Sequence, residues 1–100
     1  MVALRQTAVF AKWFKSLRDL QAQARIVARI RRLELGNPGD VRPVGEGLSE
    51  MRIDYGPGYR LYFKQDGDTV VILLCGGDKK TQARDIARAK MLARESGWKE

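Results

Sequence analysis

The sequence contains no histidine and a single cysteine in 100 residues. Without histidine the chain has neither the commonest general base near neutral pH nor the commonest metal ligand. A lone thiol leaves a structural zinc ion without a ligand set and excludes an internal disulfide. Cys75 stands in the run Val70-Val71-Ile72-Leu73-Leu74-Cys75, where it reads as a small buried hydrophobe. No apolar stretch approaches the roughly 18 residues of a membrane span, and the start of the chain lacks a signal-peptide pattern. The expected location is therefore the cytoplasm, with no membrane partner. Phosphate loops, dinucleotide fingerprints, Ser-His-Asp sets and metal-ligand spacings are also missing. Neither a metal nor a cofactor is expected.

What is present is positive charge. Lysine and arginine number 19 against 12 aspartates and glutamates, a net charge of +7. On so small a body that surplus sets up a field that attracts polyanions and speeds encounter with them. The length suits one domain, and a 44% hydrophobic, 31% charged composition suits a folded chain over a disordered one. The whole chain, residues 1–100, is read as a single domain.

The apolar spacing sets the order of elements. Val2 to Thr7 can form a strand. Phe10, Trp13, Phe14 and Leu17 make one stripe of a helix. Asp19 is placed to cap a second helix that buries Ala24, Val27, Ile30 and Leu33, exposes Arg25, Arg29 and Arg32, and stops at Gly36 before Pro38. Met51, Ile53 and Tyr55 alternate with polar residues, as do Tyr59, Leu61 and Phe63 beyond Gly56-Pro57-Gly58, which predicts a hairpin. Pairing Tyr55 with Tyr59 sets Asp54 opposite Arg60, Arg52 opposite Tyr62 and Glu50 opposite Lys64. Asp66-Gly67 predicts a two-residue turn into the strand Thr69 to Cys75, whose apolar run asks for cover on both faces. A last helix, capped by Asp78 or Thr81, is to supply that cover through Ile86, Ala89, Leu92 and Ala93, with Arg84, Arg88 and Arg94 outside.

The candidate chemistry is cationic. Arg52, Arg60 and Lys64 fall on one face of the hairpin with Tyr62 among them, and Lys79 and Lys80 follow the next strand. Guanidinium groups grip phosphate oxygens in bidentate fashion, and a tyrosine ring can stack on an unstacked base, so this face suits RNA. Gly76-Gly77 before a helix resembles a phosphate cradle, but a turn needing positive φ explains it better.

Three segments carry a family resemblance: Gly45 to Ile53, Gly56 to Phe63, and Leu73 to Gln82. With Phe10, Trp13, the Leu17-Arg18-Asp19 turn and Gly36-Asn37-Pro38-Gly39-Asp40, they resemble the RelE-type toxins of bacterial toxin–antitoxin modules. The nearest branch is the HigB-like one of addiction module killer proteins. The resemblance implies an α+β, RelE-like fold: an N-terminal strand and helical hairpin packed on a small antiparallel sheet, with a C-terminal helix.

It also implies a ribosome-dependent mRNA endonuclease that cuts A-site codons through metal-independent attack of the ribose 2′-hydroxyl, and a cognate antitoxin, encoded by an adjacent gene, that restrains it. Carried over by position, Arg60 stabilises charge on the phosphate, Arg52 is the basic residue of the preceding strand, and Lys79 or Lys80 is the one after the last strand. Tyr62 completes the catalytic set, with Lys64, Arg84 and Arg88 as RNA-binding residues. The general base stays open, with Asp54 and Glu50 as further candidates. Two rival readings are a ParE-like DNA gyrase poison and a non-catalytic RNA-binding module.

Overall fold

The computed structural model describes residues 2–95. Its elements are β1 (Ala3–Gln6), α1 (Ala8–Ser16), α2 (Leu20–Glu34), β2 (Val41–Gly45), β3 (Leu48–Arg52), β4 (Arg60–Asp66), β5 (Val70–Gly77), and a 3-10 turn (Lys79–Thr81) that leads into α3 (Gln82–Glu95). Thr7 starts α1: its hydroxyl accepts from the Phe10 amide at 3.0 Å and donates to the Leu74 carbonyl at 2.6 Å, which ties the helix to β5. Asp19 caps α2 as expected, accepting from the Gln21 and Ala22 amides.

The five strands form one sheet in the order β1-β5-β4-β3-β2, with β1 parallel to β5 and the other pairs antiparallel. This is the α+β architecture expected, with two additions. The sheet is mixed, and β2, which the sequence pattern did not reveal, forms its far edge. Pro43 is tolerated there because an edge strand has one row of amides without a ladder partner.

Five expectations need correction. The second helix buries Ala22, Ile26, Ile30 and Leu33, while Val27 is 54% exposed and Ala24 also faces out. Two overlapping apolar stripes share Ile30 and Leu33, and the one with the larger Ile26 faces the sheet. Arg29 is partly buried, donating to the carbonyls of Arg52, Pro38 and Asp40. The β3–β4 register is slipped by two residues: Arg52 pairs with Arg60, Glu50 with Tyr62 and Leu48 with Lys64. Alternation fixes which face a side chain takes but is blind to a slip of two. The loop between these strands is wider than a tight turn, with Gly56 and Gly58 at φ 58° and 82°. The β4–β5 connection likewise spans residues 67–69, since Asp66 pairs with Val70.

Helices α1 and α2 cover one face of the sheet, where Met51, Leu61, Phe63, Val71 and Leu73 meet Phe10, Ile26, Ile30 and Leu33. Helix α3 covers the other, where Ala89 is buried with Leu48, Tyr62, Ile72 and Leu74. The expected cover for the apolar strand β5 is thus α3. No helix among the described residues is long and apolar enough to cross a membrane.

Candidate functional site

The slipped register places two arginines opposite each other. Like charges in that position oppose strand pairing, and each is met by its own acid. Arg52 donates to Asp40 Oδ1 at 3.1 Å, and Arg60 Nε lies 3.6 Å from Glu50 Oε2. Both arginines line a cleft of about 360 Å³ together with Lys79, Asp40, Asp54 and Tyr59. The Asp78 carboxylate accepts from the Lys80 and Thr81 amides at 2.9 and 3.2 Å, forming the turn that brings Lys79 to this cleft. Gly58 is in the left-handed region, and a Cβ there would stand 3.5 Å from Lys79 Cβ. The left-handed backbone, and not the space, favours glycine here, since a contact at 3.5 Å is ordinary.

Arg60 is the most constrained of the three cations. Its side chain is 11% exposed, and Nε and Nη1 have no hydrogen-bond partner among the described residues. Nε faces Glu50 Oε2 at ion-pair distance, so that edge of the guanidinium is turned toward the acid. Arg60 is held from behind by Glu50, which is fully buried and accepts from Arg42 Nε at 2.8 Å, Tyr62 Oη at 2.9 Å and Gln82 Nε2 at 2.9 Å. Burial alone would raise the Glu50 carboxyl, but the donors from Arg42, Gln82 and Tyr62 outweigh it and hold it below the ordinary range. Glu50 is thus a fixed anion, sealed from substrate.

Residues 12–95 match the phage-derived, Gp49-like protein family (DUF891). The chain belongs to the Gp49-like family. This is an addiction-module toxin-like family, in agreement with the toxin–antitoxin resemblance of the sequence. An uncharacterized protein of Haemophilus influenzae is 50% identical over 96 residues, covering 96% of this chain and 97% of that one. A conserved hypothetical protein of Helicobacter pylori, solved in solution, is similar at 25% identity and a TM-score of 0.50, over 80% of this chain and 97% of that one.

In this Gp49-like chain the residues singled out from sequence divide into groups. Arg52, Arg60 and Lys79 come together in the cleft, and Lys80, exposed on the same turn, lies outside its lining. Tyr62 is fully buried beneath α3, its hydroxyl bound to Glu50. Burial, then that hydrogen bond, push its phenol far above the ordinary value. It can neither stack on a base nor take a proton, which corrects its place on an open face: α3 closes the sheet there. Lys64 sits beside Leu48 and Ile72, away from the cleft. Arg84 and Arg88 line a separate cleft of about 810 Å³.

Cys75 is buried, its Sγ 3.6 Å from the Asp85 carbonyl, and burial pushes the thiol up to about 12, which leaves it unreactive. Gly76 and Gly77 end β5 without positive φ, so the turn expected of them is absent. Their small size has another cause: a Cβ would meet the Trp13 ring at 2.4 Å and the Asp85 carboxylate at 1.8 Å.

Trp13 and Asp40 stood out in the sequence only as a helix-stripe residue and as part of a family segment; their contacts at the clefts, like those of Asp85, join distant segments and left no signal there. Among the described residues no three His, Cys, Asp or Glu side chains gather as a metal site.

Proposed function

We propose that this chain is the toxin of a type II toxin–antitoxin module, of the HigB-like kind, and that it cleaves mRNA in the ribosomal A site. The observation that carries this reading is Arg60, nearly buried in a cleft with Arg52 and Lys79 and held from behind by Glu50. A phosphate in the transition state of RNA cleavage gains negative charge, and fixed guanidinium donors aimed at it are a large catalytic contribution. Arg60 takes the phosphate oxygens. Arg52 exchanges its Asp40 partner for a second phosphate contact, and Lys79 neutralises the leaving oxygen. Asp54 lines the same cleft and is placed to accept the 2′-hydroxyl proton, a role closed to Glu50 and Tyr62 by burial. The step needs no metal: the 2′-oxygen gives its proton to Asp54 and bonds to phosphorus, the P–O5′ bond breaks, and the leaving oxygen takes a proton from the Lys79 ammonium. A cognate antitoxin protein restrains the enzyme in the cytoplasm.

The test is induction of the chain in bacteria with mapping of mRNA 5′ ends. New ends within translated codons are expected, with a drop of about 10²–10³ in cleavage for Arg60→Ala, the range for loss of one such donor, and a comparable loss for Asp54→Asn. Growth arrest with intact mRNA and damaged chromosomes would assign the chain to the gyrase poisons instead. Salt-sensitive RNA binding without any cleaved product would leave it a passive binder.

A further inference from the structure

The larger cleft lies between α1 and the start of α3, over the end of β5. It shares one residue, Tyr59, with the cleft of Arg60. Its floor is bare backbone at Gly76 and Gly77, and the Trp13 ring lies on Gly76 so closely that a Cβ would stand 2.4 Å from it. Trp13 and Tyr59 meet edge to face, with ring centroids 6.3 Å apart.

The charges around this cleft are not balanced. Its acids are already engaged: Asp78 caps the 3-10 turn, and Asp85, 1% exposed, accepts from the Thr81 hydroxyl and lies 3.4 Å from Arg84. Lys12 and Arg88 are exposed at the mouth beside Arg84, whose charge is shared with Asp85. The result is an aromatic wall inside a cationic rim, in a volume of about 810 Å³ that falls in the ordinary range of small-ligand sites. That combination is what a single-stranded nucleotide requires, a π-face for the base and cations for the phosphate.

We propose that this cleft binds an unstacked nucleotide of the RNA, next to the one whose phosphate Arg60 holds. The base lies against Trp13 and Tyr59, and its phosphate is held by Arg84 and Arg88. The strand then bends over the Tyr59 ridge from one cleft into the other, and this holds the 2′-hydroxyl in line with the scissile bond. Naming the ligand as RNA rests on the nuclease reading above; the cleft and its chemistry do not.

Trp13 and Trp98 are the chain's two tryptophans, and Trp98 lies outside the described residues. Trp98→Phe leaves Trp13 as the sole indole emitter, and adding Arg60→Ala keeps RNA uncut during a titration. A single-stranded RNA hexamer should quench Trp13 emission saturably, and an abasic backbone of equal length should not. Arg84→Ala with Arg88→Ala should weaken the quenching at least tenfold, and Arg88→Ala alone, which leaves the Arg84–Asp85 pair in place, should weaken it in part.

Emission unmoved by RNA, with Arg60-dependent cleavage intact in the parent protein, would overturn the pocket and spare the nuclease. Saturable quenching in a chain that never cleaves RNA would support the pocket and sink the nuclease. Equal quenching by the abasic backbone, or quenching by an antitoxin peptide and not by RNA, would also overturn the nucleotide pocket.

Discussion

On the α1–α2 side of the sheet, the buried cluster is built from Phe10, Ile26, Ile30, Met51, Leu61, Phe63, Val71 and Leu73, with no charge among them. On the α3 side, Leu48, Ile72 and Leu74 share the interior with two buried carboxylates, Glu50 and Asp85. Burying a carboxylate costs several kcal/mol unless its partners are well placed. The first side shows that this chain can build a core without one. The charges on the second side each hold a neighbour: Glu50 stands behind Arg60, and Asp85 lies against Gly77 and Thr81 at the second cleft. One side of the sheet is packed by apolar side chains alone, and the other buries two carboxylates against arginines.

The largest effect on this contrast is expected from Glu50→Ala. Removing one member of a buried ion-pair network costs about 3–5 kcal/mol, and here it strips Arg60 of its counter-charge. Stability by denaturant melt and cleavage per folded molecule should fall together. Because this variant can fail to fold, Glu50→Gln is its companion: it keeps the shape, loses the charge, and should show the rate loss with a smaller stability loss. Cleavage unchanged in a folded Glu50→Gln protein would show that Glu50 is only a structural anion. Ile26→Ala probes the other side. It should cost about 2–5 kcal/mol, as large-to-small core changes do, and leave cleavage per folded molecule unchanged. A matching rate loss there would erase the distinction between the two sides.

The two sides also differed in how far the sequence revealed them. The apolar side was readable, because periods of two and 3.6 report which residues face a core. Phe10, Leu61 and Phe63 stand where their spacing put them, although Val27 lost to Ile26 where two stripes overlapped. The cap signals were local too: Asp19 caps α2 as expected, and Asp78 caps the 3-10 turn that leads into α3.

The polar side was readable in residue type and not in geometry. Arg52, Arg60 and Lys79 were identifiable as a cationic set, but a slip of two residues decided that Arg52 faces Arg60, and α3 decided that Tyr62 is covered. Asp40 reaches Arg52 across 12 positions, and Trp13 lies on Gly76 from a helix far away in sequence. Such pairings leave no periodic trace.

Gly76→Ala sharpens the contrast at the boundary between the two sides. The added methyl meets the Trp13 ring at 2.4 Å, and overpacking of this kind costs about 1–3 kcal/mol. The ring must shift into the second cleft, so RNA quenching of Trp13 should weaken while Arg60 keeps its place. Stability and quenching equal to wild type would mean that Trp13 does not rest on this strand in solution.

The smallest effect concerns a charge on the apolar side, at its exposed rim. Asp19 caps α2 and accepts from the Tyr55 hydroxyl at 2.8 Å. That bond, then the Ala22 amide, hold its carboxyl below the ordinary 3.8, and the same bond raises the Tyr55 phenol above 10.0. The signs are opposite. A depressed carboxyl contributes stability that is present above 3.8 and lost as pH falls through the folded value. A raised phenol contributes stability that is present below 10.0 and lost as pH rises through its folded value. Thermal melts across pH should therefore show wild-type Tm falling away at both ends relative to Tyr55→Phe. The alkaline difference should vanish first, because the variant has no phenol to ionise, and part of the acid limb should remain through the Gln21 and Ala22 amides. Parallel curves for the two proteins would mean that the bond does not form in solution.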